Sequence, residues 1–243
     1  DRLGHLVRTN SESILALTMP DDSMKMWNTV AISSSVHTDE DTHIEVVTYG
    51  RHGDFMSLLL TVLTGDGTRW TRIFAWLRSI VRHPLRFLRT LWPFGWSRRT
   101  IMLLVMQSLD NAIHFRARKR WFGRGVRLSS EQDSDNPNPT YIDAGNKAAE
   151  WLADKYGAMP QSFILEATLN IPTTAHILGG ATIGRDAEHG VVDHDQRVFG
   201  YENLMVCDGS AMPANPGVNP SLTIVAMTER AMSKIPGKQT NAD

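Results

Sequence analysis

Between His176 and Ser221 the chain sets out residues whose types suit work on a hydroxyl group. His176 precedes Ile177-Leu178-Gly179-Gly180, a histidine on a tight turn of small residues where a ligand could lie against the ring. An imidazole titrates near neutrality, so it can exchange a hydroxyl proton at physiological pH. Residues 203–207 (N-L-M-V-C) form a short apolar run bounded by turn residues, the pattern of a buried parallel strand. Asp208-Gly209-Ser210 ends that run. Gly209 lets backbone approach a ligand, and Asp208 can accept from a hydroxyl or an amide. Asn219-Pro220-Ser221 reads as a helix N-cap with proline at the first helical position. Leu222, Val225, Ala226 and Met232 follow at roughly helical spacing. The first amides of such a helix, at its positive end, face something electron-rich.

Taken singly, each of these is ordinary strand-turn-helix punctuation. In this order and spacing they closely resemble the C-terminal signature of the glucose-methanol-choline (GMC) oxidoreductases, flavoenzymes that oxidise alcohols. Within that family the chain looks most like the cholesterol oxidase branch, with Ile177 where the branch usually has proline. The resemblance implies that His176 and Asn219 meet the substrate hydroxyl. It also implies that Gly179, Gly180, Asp208, Gly209, Asn219, Pro220 and Ser221 line FAD, the helix start facing the negative charge of the reduced flavin. Glu45, in the β-prone run 44–47, sits among apolar neighbours, where a carboxylate becomes a usable base. The branch has a glutamate at a comparable strand position that moves a proton on the steroid, isomerising its double bond. Leu3-Gly4, Thr9-Asn10-Ser11-Glu12, Met106-Gln107 and Leu109-Asp110-Asn111 also look like the long members of the branch.

A flavoenzyme of this kind opens with a strand, G-x-G-x-x-G and a helix that cradle the FAD pyrophosphate. The chain has no such motif, and Gly65-Asp66-Gly67 and Gly123-Arg124-Gly125 have the wrong spacing. The reading is therefore the C-terminal part of a longer enzyme, expected not to hold FAD tightly without its N-terminal FAD-binding part. Its substrate would be a sterol or other hydrophobic alcohol, and its electron acceptor oxygen or another carrier. Two alternatives stand: a GMC dehydrogenase acting on another alcohol, and a non-catalytic lipid-binding module of the same fold. A serine hydrolase is unsupported, because Ser210 lies in D-G-S-A-M and not in a G-x-S-x-G elbow.

The other eight histidines (His5, His37, His43, His52, His83, His114, His189 and His194) are read as ordinary core or surface residues. No metal site is expected, since zinc-like spacing is missing and Cys207 is the one cysteine. Cys207 itself is expected to be a buried thiol. With 243 residues, 42% of them hydrophobic, the chain can bury one or two cores. A net charge of −1 gives no global field toward nucleic acid, which is not an expected partner.

Charge is nonetheless uneven. Between Asp66 and Asp110 there is no acidic residue, while Arg69, Arg72, Arg78, Arg82, Arg86, Arg89, Arg98 and Arg99 alternate with tryptophan and phenylalanine. Residues 72–82 read as an amphipathic helix, and Pro84 and Pro93 break the stretch. Basic helices with aromatics are an interfacial signature, which leaves two readings of 69–99: peripheral membrane contact, or a helical cover of the substrate domain whose arginines pair with acids elsewhere in the full protein. The protein is read as cytoplasmic or peripheral to a membrane.

These elements must be carried by an α/β (α+β) fold. Strands are expected near 29–36 and 43–49, a mainly helical section over 55–120, an exposed loop over 129–139, and a helix over 143–156 stopped by Gly157. The family resemblance implies a substrate-binding domain over 1–195, with a mixed β-sheet roofed by helices. Residues 196–243 would return into a Rossmann-type FAD-binding domain.

Overall fold

A computed structural model of the chain describes residues 2–121 and 123–237. In chain order the strands are β1 (His5–Thr9), β2 (Ser13–Thr18), β3 (Ile32–His37), β4 (Thr42–Val47) and β5 (Leu60–Val62). Helices α1 (Arg69–Arg82), α2 (Pro84–Thr90) and α3 (Trp96–Arg99) follow, then strands β6 (Thr100–Gln107), β7 (Ile113–Lys119) and β8 (Val126–Gln132). The last elements are α4 (Asp143–Tyr156), β9 (Met159–Phe163), α5 (Ile164–Leu169), β10 (Ile177–Gly180) and α6 (Ser221–Met232).

The chain divides into two interleaved compact units: residues 1–10, 109–138 and 176–243 form one, and residues 11–108 and 139–175 the other. Compactness therefore cuts the chain at several points. The reason is visible in the pairing of β1 with β10, which brings the first ten residues to the strand after His176.

The larger unit is built on a six-stranded antiparallel sheet in the order β3-β4-β6-β2-β9-β5. Its centre is β6, an unbroken apolar run paired with β4 on one side and β2 on the other. Burial on both faces removes the need for alternation. One face packs Leu15, Leu17, Ile44, Leu103 and Val105 against Ile142, Ala149 and Ala153 of the α4 region. The other holds Ala16, Leu60, Trp96 and Met102. Helix α4 runs as expected and ends in left-handed Gly157, whose N–H returns to Ala153 O. It comes close to the sheet through Gly145, where an added Cβ would stand 2.5 Å from Val105 Cγ2.

The smaller unit carries the antiparallel sheet β10-β1-β7-β8 together with α6. The α+β class expected from the sequence holds, with every pairing within both sheets antiparallel. Four local expectations are corrected. The helical section ends at Arg99, because 100–107 is the central strand, whose continuous apolar character gives no period to separate it from a helix. The hairpin β7–β8 occupies 113–132, so the loop expected from 129 begins only after Gln132. Residues 203–207 form no buried parallel strand: Val198 N donates to Leu204 O and Val206 N to Gln196 O, around an antiparallel bridge from Met205 to Arg197. Cys207 is accordingly half-buried.

Replacing Gly145 with valine should drive branched carbons into Val105. Overpacking of this kind costs about 1–3 kcal/mol, and urea unfolding should show a lowered midpoint with an unchanged slope. An unaltered midpoint would contradict the close helix-sheet approach.

Candidate active site

In the smaller unit, the register of β1 against β10 sets Thr9 opposite Ile177 and Val7 opposite Gly179. The residue that follows β1, Asn10, thereby comes beside the residue that precedes β10, His176. Asn10 is fully buried, and its Nδ2 lies 3.2 Å from His176 Nδ1 and 2.9 Å from Val218 O. A backbone carbonyl can only accept, so Val218 fixes the amide with its NH₂ inward. The second hydrogen of that NH₂ then points at His176 Nδ1, which must accept. In the neutral ring the proton consequently sits on Nε2, and the ring presents an N–H from that side.

Backbone bonds bring the acid-glycine turn to the same strand. Ala181 N donates to Ser210 O at 3.0 Å and Ile183 N to Ala211 O at 3.1 Å. Asp208 Oδ1 accepts the N–H of Ser210 at 2.8 Å, which starts a short 3₁₀ turn over Gly209–Ala211. A Cβ on Gly209 would stand 3.1 Å from Leu178 Cδ2 and 3.2 Å from Ile224 Cδ1, so the turn is pinched between β10 and α6. Asn215 fastens the turn that leads into Asn219: its Oδ1 accepts from Gly217 N at 2.8 Å and its Nδ2 donates to Leu109 O at 3.3 Å.

Helix α6 begins at Ser221, with Pro220 one place before it. The expected N-cap at Asn219 is displaced by one residue, to Pro220, which supplies no side-chain cap. Ser221, Leu222 and Thr223 are exposed, and Asn219 beside them is half-buried. An uncapped, accessible helix start fits an electron-rich ring edge placed against its amides. Leu222, Val225 and Met232, at the expected helical spacing, are exposed, while Ala231 is fully buried. Gly179 and Gly180 use their freedom within the sheet: both have positive φ, and a Cβ on Gly179 would lie 2.1 Å from Leu6 O.

Glu45 belongs to the larger unit. On β4 it is 5% exposed, opposite Leu104 of β6 and Ser35 of β3, on the sheet face that Ile44 does not share. Its Oε1 lies 3.8 Å from His43 Nδ1, too far for a hydrogen bond, and His43 stacks on His37 with ring centroids 4.4 Å apart. Among the described residues, no group of three His, Cys, Asp or Glu side chains is placed to hold a metal ion.

Residues 144–228 match the family model described as GMC oxidoreductase. The chain is 45% identical over 241 residues to a cholesterol oxidase of Acinetobacter baumannii, spanning 99% of this chain and 43% of the relative. It is 44% identical over 248 residues to a cholesterol oxidase of Mycobacterium tuberculosis, covering 98% of the chain and 42% of that protein. Residues 144–228 carry the match to the GMC oxidoreductases. The chain spans under half the length of the curated relatives it matches. A solved structure, pyridoxine 4-oxidase from Mesorbium loti, shares the fold at a TM-score of 0.52 and 11% identity, over 96% of this chain and 44% of that one.

Three buried polar side chains were not singled out by the sequence for a role at the site: Asn10, Glu12 and Glu166. Asn10 and Glu12 lie in a polar T-N-S-E turn between two strands, which any loop could show. Glu166 looks like one acid in a short helix. It is 1% exposed and accepts from Ser13 Oγ at 2.8 Å, from Ile14 N at 3.2 Å and from Thr173 Oγ1. Burial outweighs those donors and the Arg72 charge, and pushes its carboxyl from 4.5 up to about 7. A raised folded-state value means that this group's contribution to stability is complete below pH 4.5 and is lost as pH rises through about 7. The difference amounts to about 3 kcal/mol. Denaturant titrations from pH 4.5 to 8 should therefore show stability falling in wild type and falling less in Glu166→Gln; parallel curves would refute the assignment.

Proposed function

We propose that the protein is an FAD-dependent oxidase of a sterol or similar bulky alcohol, with His176 and Asn219 at the reacting hydroxyl. The observation that carries this reading is the amide of Asn10, bonded at once to the ring of His176 and to the residue before Asn219. FAD, when bound, supplies the two-electron acceptor that takes the carbinol hydride, and oxygen is the proposed final acceptor. Asp208, Gly209, Pro220 and Ser221 would hold it, with the exposed α6 amides toward its electron-rich edge. Gly179 and Gly180 would serve it by keeping β10 close to β1.

The tautomer refines the role of His176. Its Nε2–H would donate to the substrate oxygen and orient the carbinol. As the hydride leaves, the hydroxyl proton would pass to water, and the oxygen would become the carbonyl oxygen that Nε2–H still holds. Asn219 would supply the second polar contact. Asn10 would keep the ring from rotating, since rotation breaks the bond to Nδ1. Glu45, buried on its sheet face, is the proposed proton carrier for isomerising the steroid double bond.

A sterol reaches its enzyme from lipid, and α1 and α2 offer a surface for that supply. Trp70, Phe74, Leu77 and Val81 recur at helical spacing on α1 and are exposed, Val81 by 80%. Leu85 and Leu88 continue the apolar surface on α2, followed by Trp92 and Phe94. Arg78, Arg82 and His83 line an open groove of about 570 Å³ beside Phe74. Arg72 does not belong to this face, being 1% exposed and turned inward. No helix among the described residues is long and apolar enough to cross a membrane, so the proposed contact is peripheral.

Anaerobic addition of a 3β-hydroxysteroid to the FAD-loaded holoenzyme should bleach the yellow flavin, and persistent colour with every sterol and long-chain alcohol would overturn the reading. His176→Ala, which removes the donor, should lower kcat by about 10²- to 10³-fold. Vesicles carrying anionic lipid should sediment the protein at low salt and release it at high salt, each basic residue near the surface contributing about 1 kcal/mol. Failure to co-sediment at low salt would remove the membrane contact alone.

A further inference from the structure

Residues 170–175 have neither helix nor strand of their own, and His176 is the next residue. Such a stretch lacks the backbone ladder that normally fixes a chain's path. Three buried ionisable side chains of the larger unit take its place. Arg72 donates Nη1 to Thr140 O at 2.8 Å and to Asn170 Oδ1 at 3.0 Å, at the left-handed residue that ends α5. Glu166 accepts from the hydroxyl of Thr173. Glu12, 1% exposed, accepts the N–H of Ala175 at 2.5 Å.

Burying a carboxylate is costly, and a well-packed apolar side chain of similar volume often serves stability as well or better. Packing therefore does not explain two such groups along one short segment. A carboxylate can do something an apolar residue cannot: hold a chosen N–H or O–H at a fixed point with a charge-assisted bond. The two bonds fall at Thr173 and Ala175, three residues and one residue before His176.

We infer that Glu12 and Glu166 are positioning residues for His176, fixing the backbone that leads into it at Ala175 and at Thr173. The inference rests on the proposed role of His176 at the substrate hydroxyl. Neither carboxylate is assigned contact with substrate or cofactor. Their effect is geometric, and displacement of a reacting group by about 1 Å can cost about 10²-fold in rate.

The test uses the FAD-loaded holoenzyme with Glu12→Ala, Glu12→Gln, Thr173→Val and Thr173→Ser. Glu12→Ala and Thr173→Val should each lower kcat by about 10- to 100-fold with KM nearly unchanged. Glu12→Gln and Thr173→Ser keep the acceptor and the hydroxyl, and should restore most of the loss. A purely structural role would lower Tm in the alanine and valine variants without this split, and kcat at the wild-type level in both would overturn the inference. Should Glu12→Ala fail to fold, the Thr173 pair decides. If wild type oxidises no alcohol, the functional reading fails and the positioning claim is read separately. The ring ¹⁵N resonances of His176 must then move in Thr173→Val and return in Thr173→Ser; unmoved resonances overturn it.

Discussion

One side-chain amide joins three parts of the chain that are remote in sequence. Asn10 follows the first strand, His176 precedes the tenth, and Val218 leads into the last helix. The NH₂ group of Asn10 has two hydrogens and both are used. Because the carbonyl of Val218 has no proton to give, the orientation of the amide is decided, and with it the proton position on the imidazole. Such a fork tolerates little displacement: losing the register of β1 against β10 would separate its members. The glycine pair after His176 maintains that register, since a side chain at Gly179 would strike the backbone of Leu6.

The larger unit solves a different problem. Its sheet buries both faces of β2, β4 and β6, which leaves polar residues on those strands and their connections enclosed. Glu45 on its sheet face, Glu12 at the start of β2 and Glu166 on α5 are all nearly inaccessible. Each such group is costly to enclose, and the structure answers with hydrogen-bond donors around Glu166 and the N–H of Ala175 on Glu12. Stability and function meet here. The bonds that make the carboxylates bearable also determine where an otherwise irregular segment runs.

The basic-aromatic stretch illustrates how composition and geometry divide the evidence. From its residues it could have been a helical cover with its arginines paired to acids. The helices that form put Trp70, Phe74, Leu77 and Val81 outward, and turn Arg72 inward to serve Asn170. A face exposing large apolar groups between cations is unlike the usual solvated surface of a helix, and it carries the proposed lipid contact.

Local chemistry was readable without coordinates wherever a residue's own conformational needs decide its surroundings. Gly157 ended α4, Pro84 opened α2, and the H-x-L-G-G and D-G-S signals fell beside one another through Ala181 and Ser210. Reading failed where burial on both faces erased periodicity, as in β6, and where an apolar run turned back on its own neighbours, as 203–207 does on 196–198. It also could not reveal Asn10, Glu12 or Glu166, whose types are common in turns and short helices. Their meaning depends on which atoms stand within about 3 Å, and that distance is set by strands meeting across more than a hundred residues. Residue types thus determined which chemistry was available, and tertiary contact alone decided which nitrogen of His176 carries the proton and which acids hold its approach.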